Sequence, residues 1–143
     1  MELTDVNDKE LFKREYFGVK PCLCSWMAPT TPQGWQSVLE EIEYSVKNNE
    51  NIVMTKSAGY ILPKPKHKWP NELTAMFEEF KPKDQFIQSH IYISLFGFSE
   101  LFSKHHDPGQ NIFVVAGEGS ADWTIEGYDD FVLSPKQVLY FPG

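Results

Sequence analysis

The C-terminal part of the chain alternates between short apolar runs and turn-forming residues, and this alternation restricts its possible folds most. Runs rich in Ile, Val, Phe and Tyr occupy residues 87–98, 111–116, 122–125 and 132–143. Residues that favour turns separate them, at 97–103, 108–109, 117–120, 127–130 and 134–135. Short strands divided by turns in this way are typical of an all-β sandwich or barrel. Residues 86–143 are therefore predicted to form the β-barrel part of the fold.

The N-terminal part, residues 1–85, mixes helical and strand patterns. Helices are predicted at residues 5–17, 32–49 and 70–80, strands at 19–27 and 52–55, and a loop at 57–68. Asp5 or Asn7 is the expected cap of the first helix. In the second helix, apolar residues at helical spacing predict one core-facing side: Trp35, Val38, Leu39, Ile42 and Val46.

No linker divides these two parts, so residues 1–143 are predicted to form a single domain. Its class is α+β, mainly β. A jelly-roll barrel with helices packed on one face accounts for the order of the predicted elements.

Charge and hydropathy exclude several kinds of partner. The formal net charge is -7, whereas a nucleic-acid partner requires a basic face that meets the phosphates. No apolar run approaches the roughly 18 residues of a membrane-spanning helix. The first ten residues lack the basic-then-apolar pattern of a secretory signal. We therefore expect a cytoplasmic protein with no nucleic-acid or membrane partner.

The chain has two cysteines, Cys22 and Cys24, and both lie in the predicted strand at 19–27. A disulfide between residues two apart would be strained. A Cys-x-Cys pair can bind a soft metal, but two further ligands at suitable spacing are not evident. We predict free thiols that are buried or half-buried in the strand.

The residues that point to chemistry are His105 and Asp107, which form a His-x-Asp triplet just before a Pro-Gly turn. On an extended chain, residues two apart face the same side, so an imidazole and a carboxylate can be directed at one point. These are two of the three ligands of a 2-His-1-carboxylate metal site. His106 should face the opposite side, unless a local bulge exchanges its role with that of His105. A His-x-Asp triplet also occurs where polar residues at a strand end begin a turn.

The residues around this triplet resemble the JmjC-type, cupin-like 2-oxoglutarate oxygenases over roughly positions 87–143. In that family a His-x-Asp strand precedes an apolar strand with Phe, a Gly-x-Gly turn, a Trp-containing strand and a segment that ends in Pro-x-Gly. The matching positions here are Phe113, Gly117, Gly119, Trp123 and residues 139–143 (LYFPG). The resemblance implies a cupin-type double-stranded β-helix with Fe(II) and 2-oxoglutarate as cofactors. It implies hydroxylation of a small molecule or a protein side chain.

Two positions depart from the family pattern. The second metal histidine normally follows the Pro-Gly corner by a few residues, so we expect a longer native sequence and an inactive fragment with an incomplete barrel. Relatives that hydroxylate proteins often carry Lys or Arg two residues after the turn, where it binds the distal carboxylate of 2-oxoglutarate. The matching residue here is Ala121.

Other candidate site residues lie on the neighbouring strands. His90 and Tyr92 share one face of the strand at 87–98 and line the pocket if that face is inward. Asn111 begins the next strand and either contacts a ligand or closes the turn. Tyr92 and Asn111 are the predicted cofactor contacts, and His105 and Asp107 the predicted metal ligands.

Two alternatives to an oxygenase stay open. The first is a cupin that binds a metal or small ligand without oxygenase chemistry, which Ala121 favours. The second is a structural module whose open barrel is covered in a homodimer, because an open barrel exposes strand edges.

Overall fold

The computed structural model describes residues 1–29, 34–54, 59–62, 71–85, 87–94 and 105–143. The predicted turn at 97–103 and the predicted helix start at Thr31 and Pro32 lie outside these ranges. Within them the chain is α+β with mostly strands, as expected. The described part contains no helix that is long and apolar enough to cross a membrane.

The chain divides into two compact units. The first combines Met1–Gly34 with His106–Gly143, and the second is Trp35–His105. The first unit is thus built from the two ends of the sequence. This division cuts the chain at other places than the predicted boundary between residues 85 and 86.

The first unit contains a four-stranded sheet and a separate two-stranded sheet. Its elements are β1 (Asp5–Val6), α1 (Lys9–Glu15), β2 (Cys22–Cys24), a 3-10 helix (Ser25–Met27), β6 (Asn111–Val115), β7 (Ala121–Trp123), β8 (Phe131–Leu133) and β9 (Val138–Pro142). The larger sheet has the order β1-β2-β9-β6, in which β1 and β2 are parallel and the other pairs antiparallel. Strands β7 and β8 form an antiparallel pair.

The second unit contains α2 (Trp35–Lys47), β3 (Val53–Met54), β4 (Gly59–Leu62), α3 (Asn71–Phe80) and β5 (Ile91–Ser94). Its strands form one antiparallel sheet in the order β3-β4-β5. Strand β4 lies within residues 57–68, which were predicted as a loop. Its pairing partner β5 is about 30 residues away, so a prediction based on local turn chemistry misses it.

The start of the first helix differs from the prediction. Asp5 belongs to β1, and the helix begins only at Lys9. The capping residue is Asp8, whose side-chain oxygen accepts a hydrogen bond from the Leu11 amide at 2.7 Å. Capping depends on an extended backbone at the cap residue, and Asp8 has φ -126° and ψ 124°. Of the neighbouring Asp and Asn residues, Asp8 therefore has both the backbone and the side-chain contact of a cap.

The core of the first unit is aromatic and is centred on Tyr140 in β9. The ring of Phe12 from α1 meets it edge-on at a centroid distance of 4.9 Å, and that of Phe113 from β6 lies 4.9 Å away. The Phe17 ring stacks on it at 6.0 Å. Tyr140 and Phe12 are fully buried. Such contacts connect the N-terminal helix to both strands of the C-terminal segment.

The orientation of α2 differs from the predicted one. Val38 and Ile42 pack against the buried cluster of Leu62, Ile91 and Ile93, as expected. However, Leu39 is 56% and Val46 63% exposed, whereas Glu41 is only 3% exposed. Trp35 is also exposed, at 39%. The prediction that all five apolar residues face the core was therefore wrong for Trp35, Leu39 and Val46.

The buried phenol of Tyr140 predicts a loss of stability in alkali. Burial raises the pKa of Tyr140 to about 12, whereas an unfolded tyrosine titrates near 10. Below about pH 10 both states keep the proton, and between about pH 10 and 12 only the folded state does, so the unfolding free energy falls with rising pH. Two pKa units correspond to about 3 kcal/mol.

This decline is measured by urea unfolding of the wild type and Tyr140→Phe between pH 9 and 12. The decline should be smaller in the variant, because a phenylalanine has no proton to lose. Tyr92→Phe, at a tyrosine 45% exposed in the second unit, is the matched control. Parallel pH profiles for the wild type and Tyr140→Phe would contradict the burial of this hydroxyl.

Candidate functional site

The candidate site is the turn between the His-x-Asp triplet and β6. Residues 105–107 have no regular secondary structure, and a turn follows at 108–109. Gly109 has φ +76°, a left-handed conformation that glycine adopts without strain. The amide of Gln110 donates to the Asp107 carbonyl at 3.3 Å, and this bond closes the turn. The predicted turn is therefore confirmed, and it places Asp107 directly before the sheet.

The end of β9 lies against this turn. Strand β6 is antiparallel to β9, with Asn111 opposite Pro142 and Val115 opposite Val138. Beyond the last pair, the Gly143 amide donates to the Gln110 carbonyl at 2.5 Å. A Cβ atom on Gly143 would collide with the Asp107 carbonyl oxygen and the backbone of Gln110. The approach is thus close enough to require a glycine.

The predicted metal ligands occupy the two sides of the unit boundary. His105 is the last residue of the second unit, whereas His106 and Asp107 belong to the first. Both histidines are exposed and Asp107 is half-buried. Among the described residues, there is no group of three or more His, Cys, Asp or Glu side chains that could hold a metal ion. Convergence of His105 and Asp107 on a metal stays a prediction from their spacing.

Asn111 has a structural contact that its sequence position did not reveal. Its side-chain oxygen accepts a hydrogen bond from the Tyr140 hydroxyl at 2.6 Å. The same hydroxyl accepts a hydrogen bond from the Gly18 amide, also at 2.6 Å. This bond joins the start of β6 to β9, so it differs from both roles considered for Asn111, ligand contact and closure of the turn. The Tyr140 hydroxyl occupies one of the two acceptor positions of this oxygen, and the cofactor contact stays a prediction.

Tyr92 lies on the outward face of β5, and His90 directly precedes this strand. Ile91 and Ile93 on the other face are buried, whereas Tyr92 is exposed, as is His90. The Tyr92 hydroxyl lies 3.5 Å from His90 Nδ1. Of the two predicted cofactor contacts, Tyr92 belongs to the second unit and Asn111 to the first. The predicted pocket requires the side chains of Tyr92 and His90 to point into the protein, but Tyr92 points outward from this sheet and His90 is exposed.

A cavity of about 280 Å³ lies at the β7–β8 pair, and its lining residues are Asp122, Trp123, Thr124, Asp130, Phe131 and Val132. The Thr124 hydroxyl donates to the Asp130 carboxylate at 2.8 Å. The Trp123 ring is half-buried and lies 6.1 Å from that of Phe141. This cavity was not predicted, because it depends on the pairing of β7 with β8. Ala121, at the start of β7, is exposed.

Comparisons with known proteins give no relative for this chain. None of the family models, curated proteins or solved structures compared with it matches. The function must therefore be argued from the residues and their geometry.

The hydrogen bond between Asn111 and Tyr140 predicts the effect of removing either partner. In Asn111→Ala the buried phenol loses its acceptor, and an unsatisfied buried group costs about 1–3 kcal/mol. In a Tyr140→Phe background the same change should cost little. A double-mutant cycle in urea measures this coupling.

The matched control for the cycle is Gln110→Ala. The described contacts of Gln110 come from its backbone, which the substitution retains. Its effect should stay within about 0.5 kcal/mol. If Asn111→Ala costs the same in both backgrounds, the two side chains are not coupled.

Proposed function

We propose that this chain belongs to a metal-dependent, cupin-fold protein similar to the Fe(II)- and 2-oxoglutarate-dependent hydroxylases of the JmjC type. His105 and Asp107 are two of its metal ligands. The substrate is a small molecule or a protein side chain, and the location is cytoplasmic. The proposal rests on one observation: the Pro-Gly corner at the end of β9 lies against the turn that follows Asp107.

This contact matters because of where the resemblance places the third ligand. In the family the second metal histidine comes a few residues after the Pro-Gly corner. The Gly143 amide bonds to Gln110, three residues from Asp107. A chain that continues from Gly143 therefore starts beside the Asp107 backbone, which supports convergence of the ligands. In a coding sequence that continues past codon 143, a histidine within about ten codons would supply the missing ligand and support the proposal.

The antiparallel pairing supports the same proposal at the level of the fold. The β6–β9 and β7–β8 pairs are antiparallel, and along the sequence their strands follow the order of the resemblance: an apolar strand, a Gly-x-Gly turn and a Trp-containing strand. The Gly-x-Gly turn lies between β6 and β7, with Gly119 at φ +87°. A double-stranded β-helix contains these pairs, so the proposed cupin fold is compatible with the observed α+β arrangement.

In the proposed chemistry, the residues of this chain act as metal ligands. A neutral imidazole and a carboxylate are suitable ligands for Fe(II), and His105 and Asp107 supply one of each. When bound, iron and 2-oxoglutarate would supply the oxidising chemistry, which belongs to the cofactors and not to the protein. Asp107 is half-buried and His105 exposed, so the ligand pair lies where solvent and substrate can reach it.

Two ligands predict weak metal binding by this chain alone. Manganese(II) is the probe, and the unbound ion is measured by electron paramagnetic resonance. His105→Ala and Asp107→Ala should each weaken binding, because each removes half of the ligand set. His106→Ala is the matched control, since an adjacent exposed histidine faces the other side of an extended chain.

If His106→Ala weakens Mn(II) binding as much as His105→Ala does, the ion is attracted non-specifically to this segment and is not held at the proposed site. Tight, stoichiometric binding that survives Asp107→Ala would contradict the proposed ligand set. The chain alone should also consume no 2-oxoglutarate in the presence of Fe(II).

A cupin without oxygenase chemistry is the second candidate, and Ala121 favours it. The position where relatives carry a cation for 2-oxoglutarate holds an exposed methyl group here. Binding of 2-oxoglutarate to a longer protein that includes the third ligand separates the two candidates. An absence of binding in the presence of Fe(II) would leave a metal- or ligand-binding cupin.

The edge strand β6 favours a homodimer as a third candidate. Among the described strands, β6 pairs only with β9, and its five residues include no charged residue, Pro or Gly. Such an edge can pair with a second copy. We expect a concentration-dependent dimer in sedimentation velocity, because pairing across a two-fold axis covers the edge.

Val114→Lys tests this edge, since it places a charge on the strand face opposite Phe113. It should shift the chain toward the monomer. Val132→Lys, at a side chain 53% exposed on β8, is the control and should leave the equilibrium unchanged. A wild-type chain that stays monomeric at all concentrations would exclude the homodimer.

A further inference from the structure

The two cysteines form a preorganised pair of sulfur atoms in the core of the first unit. Cys22 and Cys24 lie on the same face of β2, because they are two residues apart on a strand. Both are 0% exposed. Their Sγ atoms are 3.6 Å apart and both thiols are free. Neither the proposed iron chemistry nor a disulfide uses this pair.

A third sulfur follows at once in the sequence. Met27 ends the 3-10 helix after β2 and is also 0% exposed. Residues 22–27 thus have the pattern Cys-x-Cys-x-x-Met, with all three sulfur-containing side chains buried. Thiolate and thioether are soft ligands, and soft ligands select Cu(I) over harder ions.

The spacing of the two thiols suits a shared metal ion. Two sulfur ligands about 2.3 Å from one ion, at the angle of about 120° in a three-ligand site, are about 4.0 Å apart. The observed 3.6 Å therefore requires only a small adjustment of the side chains. A structural zinc site needs four ligands, and no such group of His, Cys, Asp or Glu occurs in the described residues. An ion that accepts two or three sulfur ligands fits this set better.

We propose that Cys22 and Cys24, with Met27 as the third donor, form a buried Cu(I) site. This inference is independent of the proposed hydroxylase function and uses none of its ligands. On binding, two S–H bonds break, three Cu–S bonds form (two to thiolates and one to the Met27 thioether), and two protons pass to solvent. Copper stays in the +1 state, so no oxidant or reductant is needed.

Access to the buried pair depends on a short strand. Strand β1 has two residues, with Asp5 opposite Leu23 and Val6 opposite Cys24. Opening of so short a pair would free the backbone edge of β2 beside the cysteines, while β2 stays paired with β9. The contact with Cys22 and then burial raise the pKa of the Cys24 thiol. Copper must displace this proton, so the apparent affinity should increase with pH.

The test is an anaerobic Cu(I) titration of the full chain in competition with a chromogenic Cu(I) chelator. The wild type should bind one Cu(I), and Cys22→Ala and Cys24→Ala should each lose this binding. Met27→Leu keeps the core volume nearly constant and should weaken binding while retaining the one-to-one stoichiometry. The double variant His105→Ala, His106→Ala should bind as the wild type does, which separates this site from the proposed iron site.

A second measurement covers the case in which the alanine variants fail to fold. Bound Cu(I) should slow the alkylation of both thiols relative to the metal-free wild type, as followed over time by intact mass, whereas Zn(II) should not. The chain has two cysteines, so the number of added alkyl groups gives the number of unprotected thiols directly. Failure of the wild type to compete for Cu(I), binding that survives loss of both cysteines, or unprotected thiols would each overturn the proposal. Loss of Mn(II) binding without loss of Cu(I) binding would reject only the iron site.

Discussion

The first unit depends on the buried hydroxyl of Tyr140. A hydroxyl removed from water is unfavourable unless it is hydrogen-bonded, and this one has both a donor and an acceptor. The Gly18 amide donates to it and the Asn111 side chain accepts from it, each at 2.6 Å. Gly18 follows α1, Asn111 begins β6 and Tyr140 lies in β9. One side chain therefore joins three segments that are far apart in the sequence.

Aromatic packing reinforces the same connection. The rings of Phe12 and Phe113 contact the Tyr140 ring from the helix and from the neighbouring strand. Burial of these rings contributes the larger free energy, because apolar area removed from water dominates folding. The hydrogen bonds contribute specificity, since they are satisfied only in one register of β6 on β9. That register in turn places the Asp107 turn beside the Pro-Gly corner.

Both proposed sites depend on this arrangement, although they share no ligand. The turn after Asp107 is held by β6 and by the end of β9. The cysteine pair lies on β2, which pairs with β9 so that Cys22 is opposite Tyr140. Strand β9 is thus the common support, with the iron ligands proposed beyond its end and the copper ligands beside its middle. A change in β9 should affect both, whereas changes in either ligand set should stay local.

The sequence by itself determined the local features of this protein. Strands β6 and β9, helix α3, the turn at 108–109 and the buried thiols follow from periodicity, glycine and proline, which act within a few residues. The spacing of His105 and Asp107, together with the residues around them, predicts a metal site, and this stays a prediction. Only the tertiary structure decided the capping role of Asp8, the partners of Tyr140 and the orientation of α2. Pairing of Cys22 with Tyr140 spans most of the chain, and local propensity carries no information on which distant strand completes a sheet.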